Sequence, residues 1–348
     1  MKKFIQKAIA LLLCYIPVAF VLPVLYDPFN VFHYKNVRDT GSINSNYIKM
    51  RYILDNPDKF DAFILGSSKV SALDVARITD LHCYNMTHPW GTPKEYFDNL
   101  HVLLENGIIP KTVFLGIDTA SGWLDPSISE QQLGTKPYPS GSAPKDLRYA
   151  EFLTSYCNPL VYSSLLTTLR HKAKDSEEYR RQFYENGGKA RTEKPASYQW
   201  DNLALQLQTR FLSRPIENRI DEGLNDIKNI VTLCQQYNVS LIIFTTPLHE
   251  AEYRLFVEHG YLDFLCKLAD ISDYYNFAGI NDISINNANF DDVFHHNIET
   301  GDLVLDAIVY GRAEPHLIAQ GFGVLVTKEN VDSVLRTAMD MIDNAPVD

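Results

Sequence analysis

The sequence has few features of a metal-binding or nucleic-acid-binding protein. None of its five cysteines forms a Cys-x-x-Cys pair, so a cysteine-ligated zinc site is not expected. Lysine and arginine number 32 against 43 aspartate and glutamate residues, which gives a net charge of -11. Because phosphate binding needs a basic surface, this balance argues against a nucleic-acid partner. The sequence indicates no cofactor, and the cysteine spacing singles out no disulfide pair.

Charge is absent from residues 8–25, which read AIALLLCYIPVAFVLPVL and follow three lysines among the first seven residues. With its apolar neighbours, this run is about long enough to span a bilayer. The lysines ahead of it indicate a cytoplasmic N-terminus. A cleaved signal peptide and a buried helix are the alternatives, although no Ala-x-Ala site closes the run. We therefore expect a single-pass transmembrane anchor over 1–25, with the rest of the chain extracytoplasmic.

Short apolar runs alternate with helical patterns over most of the chain beyond residue 56. The runs predict strands at 60–66, 82–86, 112–117, 239–244 and 274–277. Apolar residues spaced i, i+3 and i+4 predict helices at 93–105, 216–237, 250–268 and 331–342. Continuous apolar strands that alternate with helices indicate a parallel sheet covered on both faces. We expect an α/β domain over 56–348, preceded by an irregular stalk or linker over 26–55.

The alternation breaks down between residues 122 and 214. This stretch contains a region rich in Pro, Ser and Gly at 126–144, helices with polar faces at 147–183, and a turn-rich region at 186–195. We interpret about 122–214 as an insertion between the third and fourth strands. It fits a lid, a substrate-binding surface or a partner interface, and the sequence does not choose among them.

A Gly66-Ser67-Ser68 turn follows the first predicted strand. The carboxyl end of a parallel strand is where α/β sheets bind ligands. A helix that starts there would also favour the negative charge that develops during acyl transfer. Taken alone, however, the turn fits a serine that caps a helix better than a nucleophile.

A second polar stretch, 289–296, lies near the C-terminus. A serine nucleophile needs a general base and a group that fixes the tautomer of that base. Asp292 and His295 are three residues apart, so one short turn would bring the carboxylate to the imidazole. The stretch also fits a polar loop, or a metal site made of Asp291, Asp292, His295 and His296.

Together, the two stretches resemble the SGNH (GDSL-like) hydrolase superfamily. The turn at 66–68 is similar to the family's Gly-Asp-Ser block, with Ser67 in place of the aspartate, and Asp292-x-x-His295 is similar to its Asp-x-x-His block. Further similarity to membrane-anchored members encoded beside cell-surface polysaccharide genes lies in Glu299, Gly301, Asp302, Leu303, Phe322-Gly323-Val324 and Glu329-Asn330. The resemblance covers most of the chain outside the insertion. It implies a flavodoxin-like three-layer α/β/α sandwich with a parallel sheet of about five strands.

The resemblance implies a catalytic triad. In it, Ser68 is the nucleophile, His295 the general base and Asp292 the residue that orients the base. Gly91 matches the glycine of the family's oxyanion hole, and a plain turn before the next helix is the alternative reading.

Asp118 departs from the family pattern. It follows the third strand, where the family has an asparagine that donates to the oxyanion. An ionised carboxylate cannot donate. Three explanations are open: Asp118 is protonated, it turns away toward Lys69 or an amide, or the site has one donor fewer.

Four other residues follow predicted strands or the triad. His249 fits either a pocket wall or a helix start, and His296 fits either a support for the triad or an exposed side chain. Trp90 and Trp123 fit either sugar stacking or, more commonly for tryptophan, the core.

The expected reaction is acyl-ester chemistry through an acyl-enzyme on Ser68. In the members that this chain resembles, an acetyl group usually passes to a sugar hydroxyl of an exported polymer. The resemblance therefore implies O-acyl transfer to a cell-surface polysaccharide, with an acyl donor supplied by a multi-span membrane acyltransferase. Ester hydrolysis (deacetylation) is the alternative. A non-catalytic assembly module, favoured by Asp118, and a metal-dependent phosphoesterase using Asp291, Asp292 and His295 are also open.

Overall fold

A six-stranded, mostly parallel sheet organises the chain, in the order β2-β1-β3-β4-β5-β8. The structure is a computed structural model, and it describes residues 1–140, 145–156, 166, 177–188, 198–212 and 214–344. The sheet strands are β1 Ala62–Leu65, β2 Cys83–Asn85, β3 Thr112–Ile117, β4 Ser240–Thr245, β5 Tyr274–Asn276 and β8 Val324–Val326. The strands β1 to β5 pair in parallel, and β8 pairs antiparallel with β5. A separate hairpin joins β6 Phe290–Asp292 to β7 His295–His296.

Helices cover both faces of this sheet. The helices before β4 in the described residues are α1 Lys2–Tyr26, α2 Ser45–Asp55, α3 Pro93–Glu105, α4 Ala120–Trp123, α5 Ser127–Gln131, α6 Lys145–Ser155, α7 Glu177–Glu185, α8 Leu203–Leu212 and α9 Ile220–Gln236. Those after it are α10 Glu250–Glu258, α11 Tyr261–Ala269, α12 Ile298–Tyr310, α13 Pro315–Ala319 and α14 Val331–Asn344.

Successive residues of each strand enter different cores, as the two-residue repeat of a strand requires. On β1, Phe63 and Leu65 join a large core with α2, α3, α9, α10 and α11. Ala62 and Ile64 join a second core with α12 and α13. The predicted α/β class with a mostly parallel sheet is therefore correct, and the layers are compatible with a three-layer sandwich. The sheet has six strands rather than five because β8 adds an antiparallel edge.

The predicted membrane anchor is wrong. Crossing the hydrocarbon core takes about 20 predominantly apolar residues. Helix α1 is present, but nowhere in the described ranges is there a helix with the length and apolar character to cross a bilayer. The expected single-pass topology, with a cytoplasmic N-terminus and an extracytoplasmic domain, is overturned by the same finding.

The segment expected to be a stalk, 26–55, packs into the domain. Asp27, Val31 and Val37 are fully buried, and α2 places several side chains in the larger core. The Asp27 carboxylate accepts hydrogen bonds from the backbone amides of Val31, at 3.1 Å, and Phe32, at 2.8 Å. This buried carboxylate organises the turn after α1, so the segment is an integral part of the fold.

The predicted helix at 250–268 is two helices, α10 and α11. Gly260 separates them with a φ of 96°, a left-handed conformation that glycine adopts without strain. In the insertion, α4 to α8 lie in the described residues, whereas 141–144, 189–197 and most of 157–176 lie outside them. Cys14, Cys83, Cys234 and Cys266 are free, and Cys157 lies outside the described residues.

Candidate active site

Ser68, His295 and Asp292 form a continuous hydrogen-bonded series. The Ser68 Oγ atom lies 2.9 Å from Nε2 of His295, although 227 residues separate them in the chain. On the other side of the ring, Nδ1 lies 2.9 Å from both carboxylate oxygens of Asp292. The fold thus brings together the three residues that the sequence nominated as a triad.

The turn after β1 positions the serine. Ser68 opens a 3-10 turn over Ser68–Ala72, and the Ser67 hydroxyl caps this turn by accepting the Lys69 amide at 3.2 Å. Thr87 Oγ1, at the end of β2, donates to the Ser67 carbonyl at 2.6 Å. A Cβ at Gly116 would lie 2.4 Å from Cγ1 of Val70, so this glycine lets the turn pack directly on β3. The two serines divide the roles: Ser67 caps the turn and Ser68 faces the imidazole.

The β6–β7 hairpin positions the other two residues. Asp292 Oδ1 accepts hydrogen bonds from the backbone amides of Phe294, at 2.7 Å, and His295, at 3.0 Å. Burial alone would raise the pKa of Asp292, but its hydrogen bonds with the His295 ring and the Phe294 amide hold that pKa below its ordinary value. The ionised carboxylate favours a proton on Nδ1 of His295, which leaves Nε2 as the acceptor for the serine hydroxyl.

A buried ion pair links the serine turn to the hairpin. The Lys69 ammonium donates to Glu252 Oε2 at 2.6 Å and to the Phe294 carbonyl at 2.7 Å. Thr119 Oγ1 donates to the other oxygen of Glu252 at 2.8 Å. Lys69 and Glu252 are 6% and 1% exposed, so their charges are compensated by each other rather than by water. Glu252 could not be predicted from the sequence because no spacing connects it to a lysine 183 residues away. A lysine beside the serine in the turn was the one signal in the sequence.

Asp118 is hydrogen-bonded to Ser67, the neighbour of Ser68. Its carboxylate accepts hydrogen bonds from the Ser67 hydroxyl and, at 2.7 Å, from the Ala120 amide. Burial raises the pKa of Asp118, and the Lys69 charge and the Ser67 hydrogen bond oppose that shift. Of the three open explanations, the contact with the Ala120 amide matches a carboxyl group turned toward an amide, and the raised pKa also favours the protonated form. Asp118 is therefore a hydrogen-bond acceptor in the wall of the site.

Gly91 is buried against two aromatic rings. A Cβ there would lie 2.7 Å from His88 Nε2 and 2.7 Å from the Tyr96 hydroxyl. Packing alone thus requires glycine at this position. Among the described residues, Gly91 is not one of those that line the cavities at Ser68, so its role as an oxyanion donor stays a prediction.

Three of the remaining candidates, His249, His296 and Trp123, are buried and contribute to the structure of the domain. His249 caps α10: its Nδ1 accepts the Ala251 amide at 3.1 Å, and its Nε2 lies 2.8 Å from Asn287 Oδ1. His296 is buried, and burial lowers its pKa to about 4, so it is neutral at pH 7. Trp123 is fully buried in the core.

Two cavities meet at Ser68. The smaller one, about 30 Å³, has walls that include Ser68, His295, Asp118 and Trp90; this is room for very few water molecules. The larger one, about 320 Å³, opens on another side of Ser68. Helix α8 lines the smaller cavity, so the insertion contributes directly to the site.

The alternative metal site lacks its ligand cluster. No three or more His, Cys, Asp or Glu side chains of the described residues are placed to share a metal ion. In particular, Asp291 and His296 do not complete a ligand set with Asp292 and His295.

Comparison with known proteins gives no independent indication of function. No protein-family model matches the chain, and no curated protein matches it. Function must therefore be inferred from the geometry of the site.

Proposed function

We propose that this chain is a serine acyl-ester enzyme with Ser68 as nucleophile, His295 as general base and Asp292 as the group that orients the base. The observation that carries the proposal is the series of 2.9 Å contacts from Ser68 through both nitrogens of His295 to Asp292. Each contact lies within hydrogen-bonding distance, as the roles of base and orienting carboxylate require.

The reaction proceeds in two halves. His295 Nε2 takes the proton from Ser68 Oγ as that oxygen attacks the ester carbonyl, and the resulting imidazolium protonates the departing alcohol. The acyl group is then attached to Ser68. An acceptor hydroxyl gives its proton to Nε2 and attacks the acyl carbon; the bond from that carbon to Ser68 Oγ then breaks, and the imidazolium returns the proton to Oγ.

The acceptor that we propose is a hydroxyl group of a carbohydrate polymer, and the acyl group that we propose is acetyl. Support comes from the resemblance of 66–68 and 292–295 to SGNH proteins and from the 320 Å³ cavity that reaches Ser68. If water takes the place of the sugar, the same intermediate gives ester hydrolysis.

A fluorophosphonate probe tests whether the site is catalytic. We expect one probe to attach to the folded protein, on the peptide that contains Ser68. Labelling should vanish in Ser68→Ala and persist in Ser71→Ala, which alters another serine of the same 3-10 turn. A folded wild-type protein that resists the probe would instead be a non-catalytic module.

The division of acetyl groups between water and a sugar distinguishes acyl transfer from ester hydrolysis. The protein is supplied with p-nitrophenyl acetate and increasing concentrations of an oligosaccharide, and acetate release and acetylated sugar are both measured. Acetylated sugar that increases at the expense of acetate supports transfer. Acetate release that is unaffected by any sugar would assign the chain to the esterases.

A further inference from the structure

Acyl transfer at Ser68 needs a hydrogen-bond donor that stabilises negative charge. Few side chains in the wall of the smaller cavity can serve as that donor. This inference rests on the proposed function. When Ser68 Oγ bonds to the carbonyl carbon, the π electrons move to the carbonyl oxygen and form an oxyanion, which needs hydrogen-bond donors nearby. Among the described residues, the acidic groups in the wall of the smaller cavity are Asp118 and Glu252, which accept hydrogen bonds from their neighbours and offer the oxyanion no donor.

Lys69 lines the same cavity, but its charge is committed elsewhere. Its ammonium lies 2.6 Å from Glu252 and 2.7 Å from the Phe294 carbonyl. Within a buried pair, most of the field of the lysine is cancelled by its partner.

Within the described part of the chain, Arg210 is the other cation in the wall of this cavity. It belongs to α8 of the insertion and is half-buried. Its guanidinium carbon lies 4.3 Å from the centre of the Trp90 ring and 5.0 Å from that of Phe294, the residue before His295. Two aromatic faces thus restrict the guanidinium at the mouth of the triad.

The backbone of Trp90, which makes this contact, has an unusual conformation. Its φ of 58° lies in the left-handed region, which costs a bulky residue about 1–2 kcal/mol. The guanidinium keeps its charge: burial lowers the pKa of Arg210, the carboxylates of Asp292 and Glu252 oppose that shift, and arginine does not deprotonate in proteins.

We propose that Arg210 is a catalytic residue, whose guanidinium donates hydrogen bonds to the oxyanion formed when Ser68 attacks the acyl carbonyl. As the carbonyl re-forms, the bond to the leaving oxygen breaks and that oxygen takes the proton held by His295. Arg210 itself exchanges no proton. The insertion then completes the site, because the donor missing after β3 comes from α8.

Arg210→Ala, assayed with uncharged p-nitrophenyl acetate, tests the proposal. We expect kcat to fall about a hundredfold or more with little change in KM, because the interaction exists only in the transition state. The fluorophosphonate labelling rate should fall in parallel. Added guanidinium ion at low concentration should restore part of the kcat of Arg210→Ala and none of that of Ser68→Ala.

Arg214→Gln is the matched control. Arg214 also lies against Trp90, 5.0 Å from the ring centre, but it is not among the residues that line the cavity. Its loss should lower thermal stability and leave the kcat of the folded enzyme unchanged. If Arg210→Ala does not fold, Arg210→Lys carries the test, since it keeps the charge without the planar fork and should lose kcat in part.

Three results would overturn the role of Arg210. The first is an active wild type, silenced by Ser68→Ala, whose Arg210→Ala variant keeps kcat within a few-fold or, if that variant does not fold, whose Arg210→Lys variant keeps the wild-type kcat. The second is an equal loss of kcat in Arg214→Gln, which would assign both arginines to structure. The third is a wild type that neither labels nor turns over, and only this result also removes the proposed function.

Discussion

Replacing Lys69 by methionine should destabilise the fold by about 3–5 kcal/mol. The substitution removes the ammonium that lies 2.6 Å from Glu252 and leaves a carboxylate that is 1% exposed without a counter-charge. Glu252 keeps one hydrogen bond, from Thr119 at 2.8 Å. The Phe294 carbonyl also loses its 2.7 Å donor, so the hairpin that carries His295 loosens as well.

The second substitution, Glu252→Met, separates the cost of an unpaired charge from the value of the pair. In Lys69→Met/Glu252→Met, neither charge of the pair is left buried, and replacing a buried ion pair by apolar residues of similar volume is often neutral for stability. We expect the double variant to be more stable than Lys69→Met by about 2 kcal/mol or more. Urea denaturation followed by circular dichroism, with equal m-values for all variants, gives the free energies of unfolding.

Lys94→Met provides the surface comparison. Lys94 and Asp98 form an ion pair at 2.5 Å with spacing i, i+4, and the Lys94 side chain is 46% exposed. Its loss should cost less than about 1 kcal/mol. The reasoning is refuted if Lys69→Met costs as little as Lys94→Met, or if the costs of Lys69→Met and Glu252→Met simply add in the double variant.

Three further predictions concern packing, pH and the base. Gly223→Ala should lower the free energy of unfolding by about 1–3 kcal/mol or more, because its Cβ would lie 1.8 Å from the Ser121 carbonyl oxygen. An unchanged melting temperature would show that α9, which carries Gly223, can move away from α4 without cost. The folded-state pKa of His296 is about 4, against an ordinary 6.5, so the wild type should lose about 3 kcal/mol as pH falls from 6.5 to 4. His296→Asn should show a smaller loss in urea titrations across that range, and equal slopes for both proteins would contradict the assignment. Asp292→Asn should lower kcat about 10⁴-fold with little effect on stability, because an amide favours the wrong His295 tautomer; kcat within tenfold of wild type would be inconsistent with the triad.

Much of the sheet could be predicted from the sequence because apolar runs report burial directly. The strand at 112–117 and the helix at 93–105 have the predicted bounds. The three residues of β8 are too short a run to stand out, and pairing at an antiparallel edge depends on β5 rather than on local pattern. The segment 26–55 was misread because its polar residues, such as Asp27, satisfy backbone groups inside the fold.

The triad could be nominated because the stretches 66–68 and 289–296 together resemble the pattern of a known family, whereas neither stretch alone singled it out. The residues around the triad could not be predicted from the sequence. The Lys69–Glu252 pair and the Arg210–Trp90 contact join residues more than a hundred positions apart. Such contacts are decided by tertiary packing, and no periodicity in the sequence encodes them.

The central claim is that His295 activates the Ser68 hydroxyl, and the acylation rate of Ser68 measures this most directly. The experiment is a rapid-quench reaction with p-nitrophenyl acetate, followed by intact-protein and peptide mass spectrometry, in the wild type and in His295→Asn. We expect an acetyl group on Ser68 that forms about 10⁴-fold or more slowly in His295→Asn than in the wild type. Equal acylation rates in the two proteins, or an acetyl group on a residue other than Ser68, would contradict the claim.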